Sequence, residues 1–243
     1  MIDLMTPLEH LDKESSCLGI NLFIKRDDLF PVSGGGSKGR KSQYILNTRI
    51  QKNYDAVVTC GGIHSNHTRA TAIRCKQLGL ACTIVIHDDK PSTITGNLKL
   101  LTILGVRIVY CSMKEISKVM DSEMDRFVSL NLKPFYIWGG GHCNEGALSF
   151  FEAVHEIKKQ SNINFDFVFH ASGTGTTQAG LHCGFKHLFK ATNVIGISIS
   201  RDKERGFKEV QKSVDDFISI KKLSKNYRDN IYFDDNYTLG GVW

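Results

Sequence analysis

The chain has little proline and tryptophan, and it has no apolar run long enough to cross a membrane. Its 243 residues include 4 prolines and 2 tryptophans, with no Pro-rich linker, repeat or low-complexity tract. A membrane-spanning helix requires roughly 18 or more apolar residues in succession, and no stretch approaches that length. Residues 1–7 lack both a basic leader and an apolar segment. We therefore expect a soluble protein with no membrane partner.

The chain also lacks a long block of one charge and the cysteine spacing of a zinc or disulfide framework. The formal net charge is +6, but Lys and Arg are spread along the chain among Asp and Glu. A nucleic-acid-binding arm concentrates its basic residues instead. The 7 cysteines include no Cys-x-x-Cys pair, and an odd number of this kind is typical of reduced thiols. These features predict a cytoplasmic protein with no nucleic-acid partner.

Short β-branched apolar runs alternate with helical patterns, which is typical of an α/β fold with a largely parallel sheet. The predicted strands are 22–25, 56–60, 81–86, 107–110, 135–137, 167–170, 194–199 and 231–233. The predicted helices are 40–52, 67–78, 96–104, 113–129, 145–159, 177–189 and 204–225. Ligands bind at the carboxyl ends of parallel strands, so the turns that follow the strands are the candidate sites.

A glycine-rich segment, residues 33–39, precedes the helix that we predict to begin near Arg40. Glycine lets the backbone approach a ligand closely, and Lys38 could present its amine to an aldehyde if its surroundings lowered its pKa. We expect Lys41 to be a solvated neighbour. An ordinary loop before a helix explains the same residues. A nucleotide-binding P-loop is disfavoured, because Arg40 and Lys41 stand where that loop has Lys and then Ser or Thr.

Small and polar residues follow the second predicted strand in the segment 61–69, in which Ser65 and Asn66 directly precede a predicted helix. N-capping is the commonest use of such residues at a helix start. His64 and His67 invite a zinc-binding interpretation, but they supply only two ligands, and no second Cys or His pair completes a site. We therefore predict no metal.

A second glycine-containing segment follows the strand 167–170 and opens a predicted helix. Backbone N–H groups in a Gly and Thr turn at a helix N-terminus converge on an anion, and the helix dipole adds partial positive charge. The segment therefore favours phosphate binding. A dinucleotide-binding fingerprint is disfavoured, because its third glycine would fall at Gln178. A lysine that can form a Schiff base, together with a loop that can hold a phosphate, suggests pyridoxal phosphate.

Six segments share their order and approximate spacing with one known group of proteins. They are residues 6–8 (TPL), 25–28 (KRDD), 36–41 (GSKGRK), 61–69 (GGIHSNHTR), 96–97 (GN) and 173–180 (GTGTTQAG). The chain thereby resembles the fold-type II pyridoxal-phosphate enzymes, and within them the aminocyclopropanecarboxylate deaminase and D-cysteine desulfhydrase family. The resemblance implies a two-domain α/β fold of the tryptophan synthase β type, with parallel sheets flanked by helices.

The resemblance also implies a role for each candidate site residue. Lys38 would form the internal aldimine with pyridoxal 5'-phosphate and, once released by the substrate, would act as the general base. Asn66 would hydrogen-bond the ring hydroxyl of the cofactor, and Ser65 would lie near the substrate carboxylate or act in proton transfer. Asp28 would fix a loop rather than perform chemistry. The phosphate-binding loop would comprise Gly173, Thr174, Gly175, Thr176 and Thr177.

The implied domains are discontinuous. Residues 1–42 and 142–243 would form the larger, cofactor-binding domain, and residues 43–141 the smaller one, with the cofactor in the cleft between them. Residues 234–241 resemble the family's approach to an active-site tyrosine. The C-terminal part that would carry this tyrosine and the polar group at the pyridine nitrogen is then expected to be missing from the chain.

These features favour a deaminase or lyase that acts on a small amino acid and releases ammonia and an oxo acid, like aminocyclopropanecarboxylate deaminase or D-cysteine desulfhydrase. The expected substrate is a small D-amino acid or a cyclopropane amino acid, and the expected assembly is a homodimer. The alternative is a catalytically degenerate or truncated relative that binds the cofactor, or nothing, and serves as a subunit or has no catalytic role. The short C-terminus motivates this alternative.

Overall fold

The structure is a computed structural model that describes residues 5–189 and 191–238. The chain divides into two compact units, which we call the first unit (Met1–Phe30 with Gly146–Trp243) and the second unit (Pro31–Glu145). These boundaries differ from the predicted ones at 42 and 142. The reason is that helix α2 (Gly36–Gln51) runs unbroken and remains wholly within the second unit.

The second unit is built on a four-stranded parallel sheet with the strand order β5-β4-β3-β6. The strands are β3 (Ala56–Gly61), β4 (Ala81–Ile86), β5 (Arg107–Tyr110) and β6 (Pro134–Ile137). Besides α2, the helices of this unit are α3 (Asn66–Gln77), α4 (Gly96–Ile103) and α5 (Ile116–Ser129). The central strands β3 and β4 are buried along almost their whole length, as expected for parallel strands covered on both faces.

Alternate side chains of β3 enter two separate cores, because successive residues of a strand point to opposite faces. Val57 belongs to a core that includes Ile45 of α2 and Ala72 of α3. Its neighbour Val58 belongs to a second core with Met120 of α5. Because a shift of one residue would exchange the two faces, the two cores fix the register of β3 in the sheet.

The first unit contains a two-stranded antiparallel sheet and a three-stranded parallel sheet with the order β7-β8-β9. The first sheet pairs β1 (Leu8–His10) with β2 (Phe23–Lys25), with α1 (Asp12–Leu18) between them in sequence. The parallel strands are β7 (Phe167–Ser172), β8 (Asn193–Ser198) and β9 (Tyr232–Asp234). The remaining helices are α6 (Asn144–Gln160), α7 (Thr176–Leu188) and α8 (Lys203–Lys221), and their buried side chains form two cores of this unit.

The predicted α/β class, with parallel sheets flanked by helices, is confirmed. Each of the eight predicted strands is present with small shifts of its ends, whereas β1 and α1 were not predicted. The helix predicted to begin near Arg40 begins at Gly36. Among the described residues, no helix is both long and apolar enough to span a membrane.

The segment Lys25-Arg26-Asp27-Asp28 holds the N-terminal part of the first unit together. The Nζ atom of Lys25 donates to the carbonyl oxygen of Thr6 at 2.5 Å and lies 2.9 Å from Glu156 Oε2. Arg26 donates through Nε and Nη2 to the carboxylate of Asp28, at 3.0 and 2.8 Å. Asp28 thus pairs with Arg26 in this segment, and its expected role in fixing a loop stays a prediction.

Glu123 of α5 is a buried carboxylate that pairs with two more exposed arginines of the second unit. Only 7 % of its side chain is exposed, and its carboxylate accepts two hydrogen bonds from Arg107 at 2.9 Å and one from Arg126 at 2.7 Å. Burial raises the pKa of Glu123, but the hydrogen bonds from the two guanidinium groups outweigh it and leave the pKa below its usual value. The charged carboxylate therefore stabilises the folded state.

We expect Glu123→Gln to lower the free energy of unfolding by about 1–3 kcal/mol at pH 7, because hydrogen bonds to charged groups contribute about this much. The ionised carboxylate contributes to the free energy of unfolding above the pKa that a glutamate has in the unfolded chain, about 4.3. This contribution is lost as the pH falls through the lower pKa that Glu123 has in the folded chain. Urea unfolding should therefore show a smaller difference between variant and wild type below about pH 4. The exposed control Glu204→Gln should change the free energy of unfolding by less than about 0.5 kcal/mol. If Glu123→Gln lowered it equally at pH 7 and below about pH 4, the stabilising role of the ionised Glu123 carboxylate would be contradicted.

Candidate functional site

Lys38 lies in the first turn of α2, two residues after a run of three glycines with positive φ angles. Gly34, Gly35 and Gly36 have φ of 79°, 76° and 70°, in the left-handed region that L-residues with a side chain avoid. The glycine run is therefore a backbone requirement of this turn. Lys38 therefore lies inside the helix, whereas the sequence pattern predicted it in the loop before a helix that begins near Arg40.

Lys38 is half-buried, and its Nζ atom lies 3.5 Å from Ser37 Oγ. Burial lowers the pKa of Lys38 below its ordinary value, because an ammonium ion loses hydration when it leaves water. A lowered pKa increases the fraction of neutral, nucleophilic amine at neutral pH. The surroundings of Lys38 therefore favour a neutral, nucleophilic amine.

Lys41 is buried rather than solvated, so the expectation for this residue was wrong. Only 2 % of it is exposed, and its Nζ atom donates to the carbonyl oxygen of Gly140 at 3.4 Å. Burial, and next the positive charge of Lys38, hold the pKa of Lys41 well below its usual value. The signal available in the sequence was the spacing, since residues three apart lie on one face of a helix.

His67 of α3 is held in one tautomer by Thr59 of β3. The hydroxyl of Thr59 donates its only hydrogen to the carbonyl oxygen of Ile137, at 2.8 Å, and the same oxygen lies 2.8 Å from His67 Nε2. His67 Nε2 must therefore carry a proton and donate to Thr59. Burial, and next the charges of Lys38 and Lys41, lower the pKa of His67 to about 3. His67 is thus a neutral residue, and in the part of the chain that the structure describes no group of three His, Cys, Asp or Glu residues could hold a metal.

Ser65 and Asn66 lie at the carboxyl end of β3, where α3 begins. Ser65 is the N-cap of α3, and its Oγ atom accepts the backbone N–H of Thr68 at 3.3 Å. The turn requires Gly61, because a Cβ atom there would lie 2.7 Å from Ser65 Oγ. Asn66 is the first residue of α3, and its Oδ1 atom accepts from Asn97 Nδ2 at 3.0 Å.

The segment from Gly173 to Thr177 joins β7 to α7 in the first unit. Gly175 occupies the N-cap position with φ of 82°, and no side chain caps the helix. A Cβ atom on Gly175 would lie 2.9 Å from the carbonyl oxygen of Glu209 in α8. The first-turn N–H groups of α7 thus form a positively polarised end of the kind that binds phosphate. Thr174 and Thr176 add hydroxyl groups, whose oxygens are 3.4 Å apart.

Gln178 ties this loop to the parallel sheet, a role that sequence reasoning missed. Its Oε1 atom accepts from Ser172 Oγ at 2.9 Å, and its Nε2 atom donates to the carbonyl oxygen of Tyr232 at 2.5 Å. A Cβ atom at position 196 would lie only 2.0 Å from Gln178 Oε1, so Gly196 leaves the space for this side chain. Arg201 also contacts this loop, because its guanidinium group donates to the carbonyl oxygen of Gly173.

The candidate residues are divided between the two units. Lys38, Ser65 and Asn66 belong to the second unit, and the loop from Gly173 to Thr177 belongs to the first. An amine of lowered pKa can form an imine with an aldehyde. The N–H groups at the uncapped start of α7 can donate to a phosphate, and Gly175 there leaves no room for a Cβ atom. The residues therefore fit pyridoxal 5'-phosphate.

The segment that resembles the approach to an active-site tyrosine is described only in part. Asp234 ends β9, and its carboxylate accepts from the backbone N–H of Asn236 at 2.9 Å. Residues 239–241, the last three of this segment, lie outside the described residues.

Comparisons with known proteins agree with these observations. The sequence profile of the family described as pyridoxal-phosphate-dependent enzymes matches residues 2–226. A Pyrococcus furiosus protein provisionally named 1-aminocyclopropane-1-carboxylate deaminase is 32% identical over 227 residues, which are 90% of this chain and 68% of that protein. The crystal structure of a homologue of this deaminase aligns with a TM-score of 0.86 at 30% identity and covers 98% of this chain and 73% of that one.

Two more distant structures share the fold. A fungal L-serine ammonia-lyase from Rhizomucor miehei aligns with a TM-score of 0.68 at 18% identity, over 95% of this chain and 74% of that chain. The processed form of threonine deaminase isoform 2 from Solanum lycopersicum aligns with a TM-score of 0.62 at 23% identity. The alignment covers 80% of this chain and 50% of that chain.

Proposed function

We propose that this chain, which belongs to the pyridoxal-phosphate-dependent enzyme family, is a deaminase or lyase that acts on a small amino acid and releases ammonia and an oxo acid. Membership of this family makes the chain an enzyme and pyridoxal 5'-phosphate its cofactor. The deaminase class is supported by the likeness to the Pyrococcus furiosus protein and to the deaminase homologue, at 32% and 30% identity. A small D-amino acid or a cyclopropane amino acid is the substrate that we propose.

The observation that carries the proposal is the half-buried Lys38 amine at the glycine-rich start of α2, with its lowered pKa. When bound, the cofactor supplies an electron sink for the substrate. Lys38 would hold the cofactor through its amine and, when the substrate amine replaces it, would accept a proton from the substrate carbon. A lysine of ordinary pKa would be largely protonated at neutral pH and could not take up that proton.

The other candidate residues would bind and orient. The N–H groups of the segment from Gly173 to Thr177, with the hydroxyls of Thr174 and Thr176, would hold the cofactor phosphate. Asn66 would donate to the ring oxygen of the cofactor. Ser65 would lie near the substrate carboxylate or take part in proton transfer, through the hydroxyl hydrogen that its capping bond leaves available.

We also propose a cytoplasmic homodimer. The described residues contain no disulfide, which supports a reducing compartment. Light scattering coupled to size-exclusion chromatography of the purified holoenzyme would give the mass of a dimer, and a monomer mass at working concentration would contradict the proposal.

The reaction is tested by a substrate screen on the holoenzyme. We expect ammonia and an oxo acid in equal amounts from 1-aminocyclopropane-1-carboxylate or from small D-amino acids such as D-cysteine and D-serine. The corresponding L-amino acids serve as controls for stereochemistry. A protein that binds the cofactor but yields neither product from any of these compounds would favour the degenerate alternative.

A further inference from the structure

Asn97 is a residue of the second unit that has no role in the proposed function. It is the second residue of α4, in the Gly96-Asn97 segment shared with the family. Its Nδ2 atom lies 2.7 Å from the carbonyl oxygen of His64 and 3.0 Å from Asn66 Oδ1. One side-chain amide of α4 therefore contacts the backbone and the side chain of the turn that opens α3.

The orientation of both amides follows from the backbone carbonyl. The carbonyl oxygen of His64 can only accept, so the end of the Asn97 amide that faces it must be the NH₂ group. This group has two hydrogens, one for His64 and one for Asn66. The atom of Asn66 that receives the second hydrogen must be an acceptor, which is Oδ1. The NH₂ group of Asn66 is consequently turned away from Asn97.

The backbone on both sides of this contact is also fixed. Gly96 has φ of 52°, in the left-handed region that favours glycine, and the position of an added Cβ atom lies in ordinary contact with the His64 ring, 3.4 Å from Nδ1. On the other side, the capping bond of Ser65 fixes the start of α3. Both amides are therefore attached to backbone of defined position.

We infer that Asn97 is a positioning residue that turns the amide of Asn66 so that its donor end, rather than its acceptor end, faces the ring oxygen of the cofactor. The inference rests on the proposed role of Asn66. A donor stabilises the ionised form of a ring hydroxyl, whereas an acceptor favours the protonated form. Asn97 thereby selects the protonation state of the ring oxygen without touching the cofactor itself.

Asn97→Asp tests the inference because the two side chains have nearly the same shape. The carboxylate accepts and does not donate, so it attracts the NH₂ group of Asn66 and turns its Oδ1 atom towards the cofactor. We expect the dissociation constant of the cofactor to rise about tenfold, since a hydrogen bond to a charged group is lost. We also expect the visible spectrum of the bound cofactor to shift from the band of the ionised ring towards that of the protonated ring.

Asn131→Asp is the matched control. This residue is exposed, has φ of 56° and precedes β6, so it lies at the amino end of the sheet, opposite Asn66. We expect its cofactor affinity and spectrum to equal those of the wild type. Should Asn97→Asp fail to fold, Asn97→Ala removes the donor without adding charge, and we expect it to weaken cofactor binding by about threefold with the same direction of spectral shift.

The amide orientation is also measured without cofactor. In the ¹⁵N spectrum of the cofactor-free protein, Asn97→Asp should move the Asn66 side-chain NH₂ signals downfield and slow their exchange with solvent. Unchanged Asn66 signals would overturn the orientation. Wild-type affinity and spectrum in Asn97→Asp, with weakened binding in Asn66→Ala, would overturn the inference and leave the proposed function standing. Unweakened binding in Asn66→Ala would instead remove the proposed role of Asn66, and the inference with it.

Discussion

Lys38→Ala is expected to lower the rate of ammonia release by roughly 10³-fold or more. In the proposed roles of Lys38, the variant loses the amine that would hold the cofactor and the base that would take the substrate proton, and a positioned base alone contributes about 10²–10⁴-fold. The expectation rests on the half-buried position of Lys38 and on its lowered pKa. Steady-state assays of ammonia and oxo acid, with saturating cofactor, measure the effect.

Two variants accompany this measurement. Lys38→Arg keeps the positive charge but cannot form an imine, so it should be as inactive as Lys38→Ala. Lys118→Ala removes an exposed lysine of α5 and should retain full activity. Activity of Lys38→Ala within about tenfold of the wild type would show that another group performs this chemistry.

Gly175→Ala is expected to weaken cofactor binding by about tenfold or more. The left-handed φ of 82° costs a residue with a side chain about 1–2 kcal/mol. The new Cβ atom would also lie 2.9 Å from the carbonyl oxygen of Glu209, which is backbone of α8 and has little room to move. The loop must shift, and the N–H groups at the start of α7 would then point away from the proposed position of the cofactor phosphate. Loss of one charge-assisted hydrogen bond is enough for the stated change.

Fluorescence titration with the cofactor measures the loss of affinity in Gly175→Ala. Gly105→Ala is the control variant that introduces the backbone strain of a positive φ without a steric clash. Gly105 has φ of 59°, and no atom lies within 4 Å of the position of an added Cβ atom. Gly105→Ala should therefore lower the free energy of unfolding but leave cofactor affinity unchanged. Equal affinities for the two variants would contradict the role of the loop from Gly173 to Thr177.

The sequence was most informative where the signal is local. Apolar β-branched runs such as residues 56–60 and 81–86 predicted the buried parallel strands, because a strand covered on both faces reads as a continuous apolar run. The short strand β1 and the seven-residue helix α1 give no such periodicity. Glycine has poor helix propensity, and for that reason the start of α2 was placed four residues too late, at Arg40 rather than at Gly36.

Contacts between distant segments were outside the reach of sequence patterns. Nothing in the sequence indicates that Thr59 fixes the tautomer of His67 by donating to Ile137, or that Gln178 reaches Tyr232 in β9. The contact of Asn97 with Asn66 likewise depends on the packing of α4 against the turn before α3. Each of these bonds depends on how the elements pack, which follows from the cores and not from local spacing.

Borohydride reduction of the holoenzyme, followed by mass mapping of the labelled peptide, tests the central claim most directly. Reduction converts the imine between the cofactor aldehyde and the amine that holds it into a stable secondary amine, which marks that residue. We predict a single phosphopyridoxyl label at Lys38, with none at the buried neighbour Lys41. A label confined to Lys41 or to another lysine, or a protein that remains unlabelled at saturating cofactor, would contradict the assignment of Lys38.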